Sequence, residues 1–326
     1  MRVFAFDPAA YRDEYRDRNY VHIKNGVAPE FLDYLQQYAR ERLVETNLEG
    51  YAIKGKKQQA LFEFPDSVDY PAELFDAIAT MCGLNRPRMT LSERHIQAYE
   101  SNAAPEPLAH KDRYASLVSV GLSIDIPAES CLVLYPYEHR GLNAFNRSAA
   151  FPSTLQPDET PDVVARTARA VVLNDEPGDV VAFPGSTTWH LRRNAANSIN
   201  LYLKFNDFDC DPLGEDPSTD GRRRATEAAL ATRNDDLRNM VAVMGRRLDL
   251  VTRHYTRNWE EVLQATVYDA EPFGLSQTQY RILQILQAAD GERTVAAIAE
   301  EIGEDGATVE AAARLLAEKG ALDLVQ

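Results

Sequence analysis

From residue 91 to residue 208 the chain consists of short apolar runs broken by turns, with almost no helical spacing between them. ERHIQAYE, SLVSVGLSI, SCLVLYPY, ARAVVLN, DVVAFPG and SINLYLKFN each predict a strand, because they are rich in β-branched and aromatic residues and bounded by Gly, Pro, Asn or Asp. Strands that follow one another without intervening helices cannot be joined by βαβ crossovers. They are therefore expected to pair antiparallel and close into a sandwich or barrel. The insert NRSAAFPSTLQPDETPD is expected to be a long surface loop inside that sheet.

The flanks are patterned differently. Residues 1–90 are expected to form a mainly helical support region. Pro29 stands just before EFLDYLQQYARERLVE, whose Phe31, Leu32, Leu35, Tyr38 and Leu43 recur at helical spacing. YVHIKNGV ahead of it alternates like a short strand, and AELFDAIATMC predicts a second helix ending near Gly83. After the β-region, which makes 91–208 the core, CDPLGEDPSTDG acts as punctuation. Helical spacing then resumes through RRRATEAALATRNDDLRNMVAVMGRRLDLVTRHY, so 209–270 is expected to be a helical connector. The last piece, 271–326, reads helix, turn, short helix, turn, helix and a terminal strand-like LDLV, with Thr294 and Asp305 with Thr308 as caps. At roughly 150 residues per domain, a chain of 326 suits about two units.

Composition limits what such a chain handles. Hydrophobic residues make up 44% and charged ones 26%, enough apolar surface to bury a core, so wholesale disorder is not expected. The 35 Lys and Arg stand against 50 Asp and Glu, a net charge of −15. That excess argues against a nucleic-acid partner held by a basic surface and against docking on anionic lipid. The start MRVFAFDPAAYRDEYRDRNY has no apolar core after a basic residue, and no window approaches a membrane span, so neither a secretory signal nor a membrane anchor is expected. Cys82, Cys131 and Cys210 are far apart and odd in number, which fits neither a disulfide framework nor a thiolate zinc site. A reducing cytoplasm is the expected location.

Chemistry concentrates in two segments. AYESNAAPEPLAHKDRYASLVSVGLSI places His110 and Asp112 two residues apart where a loop becomes a strand. On extended backbone such residues share a face, so an imidazole and a carboxylate can reach one ion. EPGDVVAFPGSTTWHLRRNAANSINLYLKFN puts His190 on a later strand after a turn. Two imidazoles and one carboxylate are the ligands of the facial triad, which leaves coordination positions open on Fe(II). An H-x-D alone is weak, since any of six histidines can precede an Asp by chance. The order strand, H-x-D, β-rich insert, GDVVAFPGS, His190, strand is far more specific.

In that order of motifs the chain resembles the Fe(II)/2-oxoglutarate-dependent oxygenases over residues 15–208. YVHIKNGVAPEFLDYL resembles the entry of phytanoyl-CoA-dioxygenase-like members, and IQAYESNAAPEPLAHKD the approach to H-x-D in prolyl-hydroxylase-like members. The resemblance implies an α+β chain with a double-stranded β-helix, the cupin-like jelly roll, flanked by helices. It also implies iron on His110, Asp112 and His190, and oxidative decarboxylation of 2-oxoglutarate to succinate and CO2 with O2. An unactivated C–H bond of an amino acid, peptide or related small metabolite would be hydroxylated. Because Asp112 occupies the position that family halogenases vacate for chloride, the resemblance implies hydroxylation over halogenation, with desaturation or ring closure open to the same iron centre.

The family places Arg or Lys after the second histidine to hold the co-substrate, where this chain has Ser198, Ile199 and Asn200. Lys204, 14 residues past His190, is the expected replacement, with Asn206 as its polar neighbour and Arg192 and Arg193 as alternatives. Gln97 and Tyr99, sharing a face with His95 and Glu93 on the strand before H-x-D, are expected to meet the co-substrate. Arg113, Tyr114, His139 and Arg140 are candidate substrate contacts. The C-terminal helices resemble a winged-helix fold, but residues 275–326 carry four cations against nine acids, too acidic for a phosphate backbone. A homodimer contact or a lid over the barrel is expected there instead. The alternative to an enzyme is a cupin-like ligand sensor that signals through this module.

Overall fold

The computed structural model describes residues 1–43, 57–146, 150–231, 237–268, 270–288 and 293–325. The end of the first expected helix (44–45) and three residues of the expected loop (147–149) lie outside the described residues. The chain divides into two compact units, Met1–Asp207 and Phe208–Gln326.

The described residues of the first unit form nine strands. They are β1 (Val21–Ile23), β2 (Lys57–Leu61), β3 (Thr90–Tyr99), β4 (Val118–Asp125), β5 (Cys131–Tyr135), β6 (Val171–Leu173), β7 (Val180–Phe183), β8 (Trp189–Arg193) and β9 (Ile199–Asn206). Six of them form one antiparallel sheet in the order β1-β7-β4-β9-β3-β2, and the other three a small sheet β6-β5-β8. An antiparallel bridge between His110 and His190 adds a fourth rung to the edge of the small sheet. Strands β3 to β9 with that rung pass back and forth between the sheets in jelly-roll order, β5 and β6 alone following each other within one sheet, as expected from consecutive strands without crossovers.

Period-2 alternation decides what each face of the large sheet does. Val118, Val120, Leu122 and Ile124 of β4, with Leu201, Leu203 and Phe205 of β9, are buried in one core. That core includes Phe31 and Leu35 of helix α2 (Pro29–Arg42) and Ile78 and Met81 of α3 (Asp76–Cys82). Fully burying one such side chain contributes about 2 kcal/mol, so the shorter helices (α1, Arg12–Arg18, among them) are held by the sheet they cover. Gly83 ends α3 in the left-handed conformation at φ 75°, where a side chain would be strained. The alternate residues Glu93, Gln97, Ser119, Ser123, Asn200, Tyr202 and Lys204 fall on the opposite, polar face. Facing them, Leu132, Leu134 and Leu173 of the small sheet pack with Val181 and Phe183. On its outer side Cys131, Val133, Tyr135, Trp189 and Leu191 pack with Val164 of α4 (Pro161–Thr167). The described part of the expected loop therefore carries a 3-10 turn at Phe151–Thr154 and this helix.

The second unit corrects the expected helical connector at 209–270. Among the described residues there, only α5 (Asp220–Ala231) is an α-helix; β10 (Val241–Met244), β11 (Leu248–Tyr255) and β12 (Glu261–Val267) follow. Met240, Val243, Met244, Leu248 and Val251 imitate helical spacing, but β10 pairs with the terminal strand β15 (Leu322–Val325). β11 and β12 form a hairpin, and β12 also pairs with β13 (Phe273–Gly274). The rest follows the expected order: α6 (Gln277–Ala288), β14 (Arg293–Thr294), α7 (Val295–Ile302), α8 (Gly306–Glu318) and β15. Thr294 caps α7 by accepting from the Ala297 amide, and Asp305 caps α8 by accepting from Thr308. Because β10 is the middle strand of the sheet β14-β10-β15, a boundary at 271 would cut that sheet apart. No helix among the described residues is long and apolar enough to cross a membrane.

Candidate metal centre

Backbone pairing brings the two histidines together. The His110 amide donates to the His190 carbonyl and the His190 amide to the His110 carbonyl, both at 2.9 Å, and the ring centroids lie 4.3 Å apart. Two residues on, the Asp112 amide donates to the Gly185 carbonyl at 3.0 Å, and the Asn143 side chain donates to the Asp112 carbonyl at 2.8 Å. His110, Asp112 and His190 each offer a ligand atom, all within 4.8 Å of one another. Among the described residues no other group of three such side chains converges.

The donor set fits a divalent transition metal. His190 Nδ1 lies 3.0 Å from the Thr188 carbonyl, which can only accept. Nδ1 therefore carries the proton, and Nε2, 3.7 Å from Asp112 Oδ1, presents its lone pair. Asp112 is almost enclosed. Burial alone would raise its pKa, yet the neighbouring Lys204 ammonium holds it well below the usual range, so it stays a carboxylate. Two imidazoles and one carboxylate suit Fe(II) and leave positions for exogenous ligands.

These residues line a cavity of about 400 Å³ between the sheets, within the range of small-molecule sites. The lining also takes in apolar side chains, Leu108, Phe151, Pro152, Leu155, Pro161 and Trp189, of which Phe151, Leu155 and Trp189 belong as well to the small sheet's outer cluster. Its polar part carries Glu93, His95, Gln97, Tyr99, Tyr202 and Lys204, with Arg192 from the small sheet. Arg113 donates to Glu93 at 2.8 Å. Burial would raise Glu93, but Arg113, then His95 and Lys204, hold it well below a normal glutamate.

The sequence-expected contacts separate into those the fold gathers and those it does not. Gln97, Tyr99, Arg113, Arg192 and Lys204 all line the cavity. Lys204 donates to Asp112 Oδ2 and lies 3.2 Å from Ser119 Oγ. Arg192 holds Asp175 through two bonds of 3.1 and 2.8 Å, leaving its buried Nε–H without a partner. Burial and the neighbouring Tyr202 push the Tyr99 hydroxyl up, so it stays protonated. Asn206 instead donates to the Ala115 carbonyl at 3.0 Å and is not on the cavity wall. Tyr114, His139 and Arg140 are also outside the lining; His139 Nε2 is 3.2 Å from the Thr167 hydroxyl. Sequence reasoning missed Ser119, Asp175, Asn143 and Gly185. For Ser119 the signal was available, since it is a polar residue alternating with Val118 and Val120 on β4. For the others the partners are set by distant chain segments.

The sequence matches no protein-family model and no curated protein. Solved structures do resemble it. The epimerase SnoN in complex with Fe3+, alpha ketoglutarate and nogalamycin RO is 16% identical, over 61% of this chain and 83% of that one, with a TM-score of 0.44. A Pseudomonas putida prolyl-4-hydroxylase is 14% identical over 61% and 98%, at 0.39. EctD from S. alaskensis with bound Fe is 12% identical over 64% and 78%, at 0.41. The geometry of this chain itself defines a jelly roll with a two-histidine, one-carboxylate site facing an internal cavity.

Proposed function

We propose that the chain is an Fe(II)- and 2-oxoglutarate-dependent dioxygenase that hydroxylates a C–H bond of a small molecule, forming succinate and CO2. The observation that carries this reading is the convergence of His110, Asp112 and His190 on the cavity wall. Bound there, iron supplies the means to couple O2 and 2-oxoglutarate to C–H oxidation. The protein's part is orientation and enclosure. Thr188 fixes the His190 tautomer, and the paired jelly-roll edges hold both imidazoles on one side of the cavity. Arg192, with its partnerless Nε–H, and the Tyr99 and Gln97 side chains opposite are the groups we assign to the co-substrate's distal carboxylate. Leu108, Phe151, Leu155 and Trp189 offer an apolar seat for the substrate and displace water from it.

The test is anaerobic addition of Fe(II) and 2-oxoglutarate. A weak visible charge-transfer band, followed by succinate on admission of air, is expected. His190→Ala should abolish both. Absence of both from the parent protein would sink the reading and favour a non-catalytic ligand-binding role.

A further inference from the structure

Lys204 lines the cavity and meets the carboxylate of Asp112. The β4–β9 register puts Ser119 directly opposite Lys204, and both converge on one oxygen of Asp112. The Ser119 hydroxyl donates to Oδ2 at 2.5 Å, and the Lys204 ammonium donates to the same atom. Oδ1 is the oxygen nearer His190 Nε2. Lys204 is only 6% exposed, so its contact with this carboxylate is shielded from bulk water. The space around the pair is also specified. A Cβ on Gly185 would lie 2.0 Å from Ser119 Oγ and 2.8 Å from Asp112 Oδ2.

We propose that Lys204 is a positioning residue for the carboxylate ligand: with Ser119 it clamps Asp112 Oδ2, so that Asp112 meets the metal through Oδ1 alone, in a space that Gly185 keeps open. The clamp rests on the metal reading given above. It removes the 14-residue offset from His190 as a reason to assign Lys204 to 2-oxoglutarate. Outer partners of ligating groups orient them, and losing one typically weakens metal affinity about 10- to 100-fold.

The experiment compares the parent with Lys204→Met and Ser119→Ala, using Mn(II) alone as probe. The paramagnetic resonance signal of free Mn(II) reports metal affinity, and a separate titration with 2-oxoglutarate at saturating Mn(II) reports co-substrate affinity. Lys204→Met should weaken Mn(II) about 10-fold or more, Ser119→Ala by several-fold, with 2-oxoglutarate affinity changed less than about threefold. Lys204→Arg should recover part of the metal affinity. Unchanged Mn(II) affinity with a large loss of 2-oxoglutarate binding overturns the clamp and makes Lys204 the co-substrate cation. A parent protein that binds no Mn(II) overturns the metal reading itself. Should Lys204→Met fail to fold, Ser119→Ala, which removes one hydroxyl, decides the same question through the same two affinities.

Discussion

Asp211 shows how one enclosed carboxyl can govern the acid behaviour of a whole unit. It accepts bonds from the Glu215 amide at 2.9 Å and the Thr219 hydroxyl at 2.9 Å, yet burial outweighs them and pushes its pKa from 3.8 up to about 6. A raised acid holds its proton in the folded state at pH values where the unfolded chain has released it. The folded state is therefore favoured as pH falls from about 6 towards 4, and that contribution is lost as pH rises. At 1.36 kcal/mol per unit, the shift is worth up to about 3 kcal/mol. Urea unfolding of the parent and Asp211→Asn at several pH values should show the stability of the parent relative to the variant falling by that order from pH about 4 to about 6. A difference independent of pH would show that Asp211 ionises normally.

At the scale of elements, helix ends and strand registers decide. Asp305 Oδ2 accepts the Thr308 amide at 3.1 Å and satisfies one of the orphan donors opening α8. Asp305→Ala should cost about 1 kcal/mol, seen as a lower urea midpoint at unchanged slope, while Asp305→Asn should cost little. This cap was legible, because Asp then Thr three residues on, ahead of an apolar run, is local information. So were the strands of the first unit: Val118, Val120, Leu122 and Ile124 alternate with smaller polar residues as a one-sided strand must. β10 and β11 were not legible. Their apolar spacing fits a helix, and only pairing of β10 with β15, about eighty residues later, favours the extended form.

For the whole molecule, the two compact units imply two unfolding events that ligand binding can tell apart. The proposed metal site lies within residues 1–207. Calorimetry with Mn(II) at about 100 times its dissociation constant should stabilise one transition by about 2.7 kcal/mol and leave the other in place. Movement of both together would show that the units unfold as one. The net charge of −15 proved uninformative about the site, since buried Lys204 and Arg192 and half-buried Arg113 are placed singly against carboxylates within the first unit. By itself, the sequence determined the β-rich core between residues 91 and 208 and, through H-x-D and a later strand histidine, which three side chains could share a metal. The first is a matter of local periodicity, and the second of an order of motifs along the chain that resembles a known family. The tertiary structure alone decided that Lys204 meets Asp112, that Arg192 meets Asp175, and that Asn206 turns away from the cavity. Those outcomes depend on registers between strands dozens of residues apart, where one step along the partner strand sends a side chain to the opposite face.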